Sequence, residues 1–408
     1  MAFSLLLVVV LGAGALFFVA HVAMPEDRGQ HVFAPDLVRR GGELAALGYC
    51  ASCHTAEKGQ PFAGGRPLAT PFGTIFGTNI TPDPESGIGL YSPAAFARAM
   101  REGIDRVGRD LYPVFPYNHF TRLEDKDIDA LYAFLMTRAA VAAQNRANQL
   151  AFPYNIRPLL AGWKLLYLDK FRVTERPDLG RYLVEGLSHC GACHTPRDRL
   201  GAEIASQHFD GGEAEDWWAP PLNANSPSPV PWTEESLFNY LRSWDAEHGG
   251  AIGPMAQVVA GLASVPEQDV RAIAAYIGST MAKQGESDGP VEDNQTQAMQ
   301  AHPQGAELYA GICATCHETG GHVPFTVASL GQHTSLYAPD PRNMIHVVLE
   351  GAHPPEGTVG AVMPAFADAL SDEQIAEIIA YLRARFSGGA QWENVEDEIA
   401  RIRRRTSP

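Results

Sequence analysis

Apolar residues recur along the chain at helical spacing, and the arrangement repeats three times. Within each repeat, three segments carry apolar side chains at positions i, i+3, i+4 and i+7, as amphipathic helices do. Acidic residues near the starts of the closing segments, such as Glu124, Glu267 and Asp372, suit helix N-termini. The pattern therefore predicts three helical units of one kind. The segments begin at Gly42, Phe96 and Asp127, at Gly180, Leu237 and Asp269, and at Gly305, Ile345 and Gln374.

The N-terminal segment is apolar throughout. From Ala2 to Met24 it contains no Asp, Glu, Lys or Arg, and a bilayer-spanning helix needs ~20 apolar residues. The run exceeds the usual ~7–15-residue apolar region of a signal peptide, and no basic region precedes it. Residues 1–24 are therefore predicted to be a membrane anchor, with a cleaved signal peptide as the alternative. Either would carry the rest of the chain across a membrane.

Composition indicates a globular protein. The chain has 408 residues, of which 45% are hydrophobic and 19% are charged. At ~150 residues per domain, this length predicts two or three domains. The formal net charge of -16 disfavours nucleic acid as a partner, because phosphates attract Lys and Arg.

Six cysteines fall into three C-x-x-C-H motifs, with none left over. This motif is the attachment signature of c-type haem. The two thiols form thioethers with one porphyrin, and the adjacent histidine binds its iron as proximal ligand. The chain is thus expected to carry three covalently bound haem c groups. The attachment residues would be Cys50 and Cys53, Cys190 and Cys193, and Cys313 and Cys316, with His54, His194 and His317 as proximal ligands.

Two other uses of paired cysteines account less well for these motifs. Structural zinc usually needs four ligands, often from two such pairs, and three pairs that are each followed by histidine do not divide into such sites. A thioredoxin-like redox motif expects a single pair near a βαβ pattern, which the sequence does not show. Haem attachment is the interpretation that the motifs favour.

Each unit resembles a class I cytochrome c domain. Over residues 36–388 the chain resembles the triple-haem cytochrome c subunits of bacterial membrane-bound periplasmic dehydrogenases, and the loop FGTIFGTNITPDPESGI from Phe72 matches a segment of that family. The resemblance implies an all-α fold of three tandem class I cytochrome c-like domains behind an N-terminal transmembrane (or signal) helix. The expected boundaries are 36–140, 177–282 and 303–388 for the domains, 141–176 and 283–302 for the linkers, and 389–408 for a C-terminal tail.

Two short strings resemble one branch of that family. Asn155–Pro158 and Ala251–Met255 are similar to the branch that partners molybdenum-dependent aldehyde and N-heterocycle dehydrogenases. Related branches are the cytochrome subunits of alcohol, gluconate and fructose dehydrogenases, whose partners are flavin or quinoprotein enzymes. The resemblance to the first branch implies three partners: a molybdopterin-binding large subunit, an iron–sulfur small subunit and membrane ubiquinone.

In this family a methionine before the closing helix commonly supplies the sixth iron ligand. Met255 and Met363 stand at that place in the second and third units, and the alternative is that each fills a core. Ligation by His and Met raises the reduction potential. The resemblance therefore implies that Met255 and Met363 are iron ligands.

The first unit departs from this pattern. Phe115 stands as far from His54 as Met255 stands from His194, and phenylalanine cannot bind iron. His119, four residues further on, is the best nearby candidate, since Met100 and Met136 suit core positions. We therefore predict bis-histidine ligation of the first haem through His119. The alternative is a surface histidine beside a five-coordinate or water-ligated iron.

The resemblance implies an electron-transfer subunit that relays electrons from a periplasmic dehydrogenase to ubiquinone. It would lie on the periplasmic side of the inner membrane, anchored by its N-terminal helix. No catalytic residues are expected, because the sequence has no strand–GxGxxG–helix unit, no nucleophile elbow and no zinc-hydrolase motif. Two alternatives stay open: a stand-alone relay to a terminal oxidase, and a haem enzyme such as a di-haem peroxidase.

Overall fold

Most of the predicted apolar segments are helices in the computed structural model. The structure describes residues 22–169, 178–282, 293–318, 329–354 and 362–406. Contacts group the chain into two units, one of residues 1–192, 199–202 and 264–266, the other of residues 193–198, 203–263 and 267–408. The division into three domains at the boundaries given above stays a prediction.

In the first unit, the helix before the first motif packs on the closing helix of its repeat. Leu44 and Leu47 are fully buried there, together with Leu131 from the facing helix. Ser92 caps another helix by accepting the N–H of Ala95 at 3.2 Å. The helices are Pro35–Leu47, Cys50–His54, Pro93–Glu102, Tyr117–Phe120, Asp125–Met136, Leu159–Tyr167 and Leu179–Tyr182.

The second unit contains the predicted second and closing helices of the later repeats. Capping boxes at Thr233–Ser236 and Ser371–Gln374 start two of them. A core of Ile345, Ile375 and Ile379 lies between the helices of the last repeat. The helices of this part are Glu234–Arg242, Pro254–Leu262, Glu267–Met281, Gln295–Ala301, Pro303–Leu308, Ala314–His317, Arg342–Glu350, Asp372–Phe386 and Val395–Thr406.

Two π-helical turns lead into the later motifs. Leu183–Leu187 precedes the motif helix Gly191–His194, and Tyr309–Cys313 runs directly into the motif helix of the last repeat. A π-turn inserts one extra residue into a helix and often marks a functional position. The first of these turns ends three residues before Cys190, and the second contains Cys313.

The all-α prediction is wrong, because short antiparallel strands connect the helices. Leu68 pairs with Ile75 in the largest group, where the β-forming residues of the loop after the first motif meet across a tight turn. The predicted linker 141–176 contributes one strand to this group, and it also contains the helix Leu159–Tyr167. The strands are Pro67–Thr70, Gly73–Phe76 and Gln149–Leu150, then Gly212–Ala214 with Trp217–Ala219, and Trp244–Asp245 with Gly249–Gly250.

The transmembrane part of the predicted fold is not found either. Among the described residues, no helix combines the length and the apolar character needed to cross a bilayer. The predicted anchor, residues 1–24, falls almost entirely on residues 1–21, which lie outside the described part of the chain.

Candidate haem sites

The first C-x-x-C-H motif forms the short helix Cys50–His54. Tyr49 precedes it with a φ of 50°, so the chain turns sharply as it enters the motif. Cys50 and Cys53 form no disulfide, and burial raises the pKa of the Cys50 thiol to about 12. Zinc binding and thiol redox chemistry both use thiolates, which a lowered pKa favours. The raised pKa of Cys50 therefore favours neither alternative use.

No cysteine belongs to a group of potential metal ligands among the described residues. The one group of three or more potential ligand side chains found there is Asp245, Glu247 and His248. His248 Nδ1–H donates to the Asp245 carboxylate at 2.7 Å, and its ring stacks on Trp232. These contacts give His248 a structural role in a hairpin.

His54 is held by backbone groups on two sides. Its Nδ1–H donates to the carbonyl oxygen of Thr78 at 2.6 Å, and its own carbonyl accepts the N–H of Gly64 at 2.7 Å. Burial lowers the pKa of the imidazole, and the bond to Thr78 acts in the opposite direction. A neutral ring protonated on Nδ1 keeps its lone pair on Nε2, which is the form that binds iron.

His194 in the second motif has the same surroundings. Its Nδ1–H donates to the carbonyl oxygen of Pro220 at 2.6 Å, and its carbonyl accepts the N–H of Gly211 at 2.9 Å. Burial again lowers the pKa of the ring. The chain supplies this acceptor from Pro220, which lies 26 positions after the histidine.

A threonine follows both of these histidines and makes the same contact. Thr55 Oγ1 accepts the N–H of Phe62 at 3.1 Å, and Thr195 Oγ1 accepts that of Phe209 at 3.2 Å. Both phenylalanines have a φ of 62°, a left-handed conformation that is uncommon outside glycine. The hydroxyl anchors this bend, which returns the chain to the histidine carbonyl.

The backbone passes directly behind both motifs, where a side chain does not fit. A Cβ added to Gly77 would lie 1.9 Å from the Cys53 carbonyl oxygen, and one added to Gly212 would lie 2.3 Å from that of Cys193. In the first site this close approach brings the next residue, Thr78, to the His54 ring. Glycine is therefore a structural requirement of both sites.

The third motif is built differently. The Nδ1 atom of His317 is buried and has no hydrogen-bond partner among the described residues, while burial lowers the pKa of the ring and Glu318 opposes that shift. Glu318 accepts hydrogen bonds from Arg385 at 2.7 Å and from the Tyr309 hydroxyl at 2.8 Å. Arg385 is 3% exposed and also forms a two-pronged ion pair with Asp293. A charged network thus takes the place of the threonine contact.

The predicted methionine ligands lie at the ends of loops, and both are half-buried. Gly253, with a φ of 57°, turns the chain into the helix Pro254–Leu262, so that Met255 lies in its first turn. Met363 pairs with Ala352 through two backbone hydrogen bonds of 2.8 and 3.0 Å. Iron ligation by Met255 and Met363 stays a prediction.

His119 lies in the short helix Tyr117–Phe120 and is 2% exposed. Its Nδ1–H donates to the carbonyl oxygen of Glu185 at 3.0 Å, and its ring centroid lies 6.3 Å from that of His189. Phe115 is half-buried, and its ring packs edge-on against Phe120 at 5.3 Å. The Nδ1–carbonyl bond resembles those of His54 and His194, and ligation by His119 stays a prediction.

Tyr49 and His189 occupy the same position in their motifs, directly before the first cysteine. Both have positive φ values, of 50° and 36°, and their ring centroids lie 5.4 Å apart. His189 Nδ1–H donates to the carbonyl oxygen of Leu187 at 2.8 Å. The residues that enter the first two motifs therefore meet in one aromatic contact.

These residues suit covalent haem. Each motif offers two thiols free of disulfides for thioether formation, and burial lowers the pKa of all three histidines, which favours the neutral form that binds iron. At the third site the buried Nδ1 of His317 has no acceptor among the described residues, whereas the Nδ1 atoms of His54 and His194 bond to backbone carbonyls. The cysteines would hold the porphyrin and the histidines its iron.

Sequence reasoning missed the residues that support the ligands. The sequence pattern could have revealed Thr55 and Thr195, because the first two motifs both read C-x-x-C-H-T, whereas Glu318 follows the third. No such pattern indicates the pairing of Glu318 with Arg385, since the two lie in separate parts of the chain.

Two family models match the chain. The model described as "Cytochrome c" matches residues 38–139, and the one described as "Cytochrome C oxidase, cbb3-type, subunit III" matches residues 300–382. These ranges contain the first and third motifs and agree with haem c as the cofactor.

Curated relatives match nearly the whole chain. A nicotinate dehydrogenase subunit of Pseudomonas putida is 43% identical over 96% of the chain, which spans only 34% of that protein. The gluconate 2-dehydrogenase cytochrome c subunit of Pantoea cypripedii is 37% identical, with 90% of both proteins covered. The alcohol dehydrogenase (quinone) cytochrome c subunit of Gluconobacter oxydans is 35% identical over 91% of the chain and 83% of its own length. The resemblance seen in the sequence is confirmed: the chain belongs to the family of cytochrome c subunits of dehydrogenases.

Proposed function

We propose that the chain is an electron-transfer subunit that holds three haem c groups and passes electrons from a dehydrogenase to ubiquinone at the periplasmic face of the inner membrane. The observation that carries this proposal is the repeated clamp behind His54 and His194, each fixed by a backbone carbonyl at 2.6 Å. A proton fixed on Nδ1 orients the ring and raises its basicity as a ligand. Haem supplies one-electron chemistry at its iron, and the chain sets its position and potential.

The proposed attachment sites are the three motifs, with Met255 and Met363 completing the second and third iron sites. Thioether sulfur favours ferrous iron, so these two sites would have the higher potentials. For the first site we propose His119, because its Nδ1 bond to Glu185 leaves the lone pair on Nε2. A second imidazole lowers the potential, which suits a site that receives electrons early.

A molybdenum- and iron–sulfur-dependent dehydrogenase of the aldehyde or N-heterocycle type is the partner that we propose. The similarity to the nicotinate dehydrogenase subunit, at 43% identity, exceeds that to the gluconate and alcohol dehydrogenase subunits, at 37% and 35%. The latter two proteins support a second candidate, the cytochrome subunit of a flavin or quinoprotein dehydrogenase.

A haem count tests the cofactor assignment. Intact mass and alkaline pyridine spectra of the full chain should give three covalent haems. The double substitution Cys313→Ser and Cys316→Ser should leave two, while Ala314→Ser, a matched change between the same cysteines, should leave three. Two haems in the wild type, or three in the double variant, would contradict the assignment.

Co-purification tests the partner. A stoichiometric complex containing molybdenum and iron–sulfur clusters should reduce a soluble ubiquinone analogue when an aldehyde or N-heterocycle is supplied. The haem bands should be reduced in the same experiment. Flavin or a quinone cofactor in the purified complex would replace this partner with the second candidate.

A further inference from the structure

The helix Leu159–Tyr167 exposes apolar side chains to solvent and turns its charged side chain towards the protein. Its outer face consists of Leu159, Gly162, Leu165 and Leu166, and Leu165 and Leu166 are 73% and 71% exposed. A Cβ added to Gly162 would meet nothing within 4 Å. None of the nine residues of this helix is buried, so packing against the other described residues does not explain its apolar surface.

The one charged residue of this helix faces the protein. Lys164 Nζ donates to the Asp110 carboxylate at 2.7 Å and to the carbonyl oxygen of Gly103 at 2.6 Å. Its side chain is 10% exposed, and that of Asp110 is 4% exposed. Water would favour the opposite arrangement, with the ammonium outside and the leucines inside.

The approach to this helix continues the apolar surface. Phe152 is 79% exposed, and Tyr154 and Ile156 are exposed as well. The intervening charge, Arg157, is turned inward to donate to the Asp110 carbonyl at 2.6 Å. Six of the thirteen exposed large apolar side chains of the described residues lie between Phe152 and Leu166. We call this stretch the apolar platform.

We infer that the apolar platform lies on the surface of a lipid bilayer. Interfaces between proteins usually have a polar rim with hydrogen-bonding groups. The two charged residues of this stretch, Arg157 and Lys164, instead form hydrogen bonds to Asp110. Amphipathic helices that lie in the membrane interface present a wide apolar face to lipid, commonly beside Trp and Tyr. Trp163 and Tyr167 pack together in this helix, with ring centroids 5.1 Å apart.

The start of the described chain supports lipid as the occupant. Residues 2–20 contain no charged side chain, and they lead to Val22 and Met24. The Val22 carbonyl accepts a hydrogen bond from Arg98 at 2.8 Å, and the Met24 N–H donates to the Arg106 carbonyl at 2.8 Å. Arg106 lies in the loop 103–110, whose residues Gly103 and Asp110 accept the hydrogen bonds of Lys164 and Arg157. Met24 and the apolar platform are therefore hydrogen-bonded to the same loop.

This inference deepens the proposed function, because ubiquinone dissolves in the same lipid. The full haem-loaded chain is reconstituted in vesicles of phosphatidylethanolamine and phosphatidylglycerol that contain a diazirine phospholipid. After illumination, labelled peptides are mapped by mass spectrometry. We expect label on residues 152–166.

The double substitution Leu165→Glu and Leu166→Glu should lower that label at least ~10-fold, because two largely exposed leucines lose their transfer to lipid. Both side chains are mostly exposed, so the fold should be retained, and the haem count reports this in the same sample. Met299→Glu, at another exposed apolar position, is the matched control and should leave the label unchanged.

Label confined to residues 2–21 would overturn the inference. So would a dimer in sedimentation that the double variant dissolves, which would assign the platform to a second copy. Protection by a co-purified dehydrogenase subunit without vesicles would assign it to a protein partner. A normal haem count alongside any of these results would leave the proposed function standing.

Discussion

Replacing Gly77 by alanine tests whether the backbone behind the first motif positions the proximal histidine. The added Cβ would lie 1.9 Å from the Cys53 carbonyl oxygen, whereas ordinary contact begins near 3.4 Å. Two backbone segments must therefore separate by about 1.5 Å, and neither is a flexible side chain that can rotate away. The separation would also stretch the bond from His54 to Thr78.

The expected loss of stability follows from these two effects. Overpacking in a rigid place costs about 1–3 kcal/mol, and a weakened buried hydrogen bond adds about 1 kcal/mol. We therefore expect Gly77→Ala to lower the free energy of unfolding by about 3 kcal/mol. Gly212→Ala, whose Cβ would lie 2.3 Å from the Cys193 carbonyl oxygen, should behave alike in the second site.

The assay is urea unfolding of the haem-loaded chain, followed by far-ultraviolet circular dichroism. Gly162→Ala is the matched control, because its Cβ would meet nothing within 4 Å and alanine favours a helix. Spectroelectrochemical titration adds a second readout. A weaker hydrogen bond from Nδ1 to Thr78 makes the imidazole a weaker electron donor to iron. The reduction potential of the first haem should therefore rise.

Two results would refute this reasoning. One is an unfolding midpoint for Gly77→Ala that equals that of Gly162→Ala. The other is a loss of stability without any change in the first haem's potential, which would separate the glycine from the His54 clamp.

Three further changes test other contacts. Asp293→Asn should lower stability by about 1 kcal/mol at neutral pH, because hydrogen bonds from Arg385 hold the pKa of this carboxyl below its usual value. That contribution is complete above the unfolded pKa of about 3.9 and is lost as the pH falls through the lower folded pKa, so urea midpoints of variant and wild type should converge in acid. Lys164→Met should cost about 3 kcal/mol by leaving the Asp110 carboxylate buried and unpaired, and adding Asp110→Asn should restore most of the urea midpoint. His119→Ala should convert one low-spin haem to high spin in electron paramagnetic resonance, and an unchanged spectrum would remove this ligand.

Periodicity predicted the long helices well, because the face that each one buries carries apolar residues at helical spacing. The runs from Asp127 and Gln374 are the helices Asp125–Met136 and Asp372–Phe386. The strands escaped notice since they are only two to four residues long. Such short strands in loops rich in Gly and Pro leave no alternation to detect.

At the candidate sites, too, only part of the structure could be predicted from the sequence. The cysteines and proximal histidines stand in a contiguous motif. The groups behind them do not, because the acceptors of Thr78 and Pro220 are backbone carbonyls, which every residue type possesses. The close approach at Gly77 likewise depends on where the chain returns, and one glycine among 39 carries no mark of that.

The clamps at the first two sites also bear on the order in which the molecule assembles. His54 is separated from its acceptor by 24 positions, and His194 by 26. Contacts this local close quickly, because little chain must be ordered to form them. Each of these clamps can therefore form as soon as its own segment has emerged. At the third site the Glu318–Arg385 pair spans 67 positions, so this contact beside the proximal histidine must wait for the helix Asp372–Phe386 and should form last.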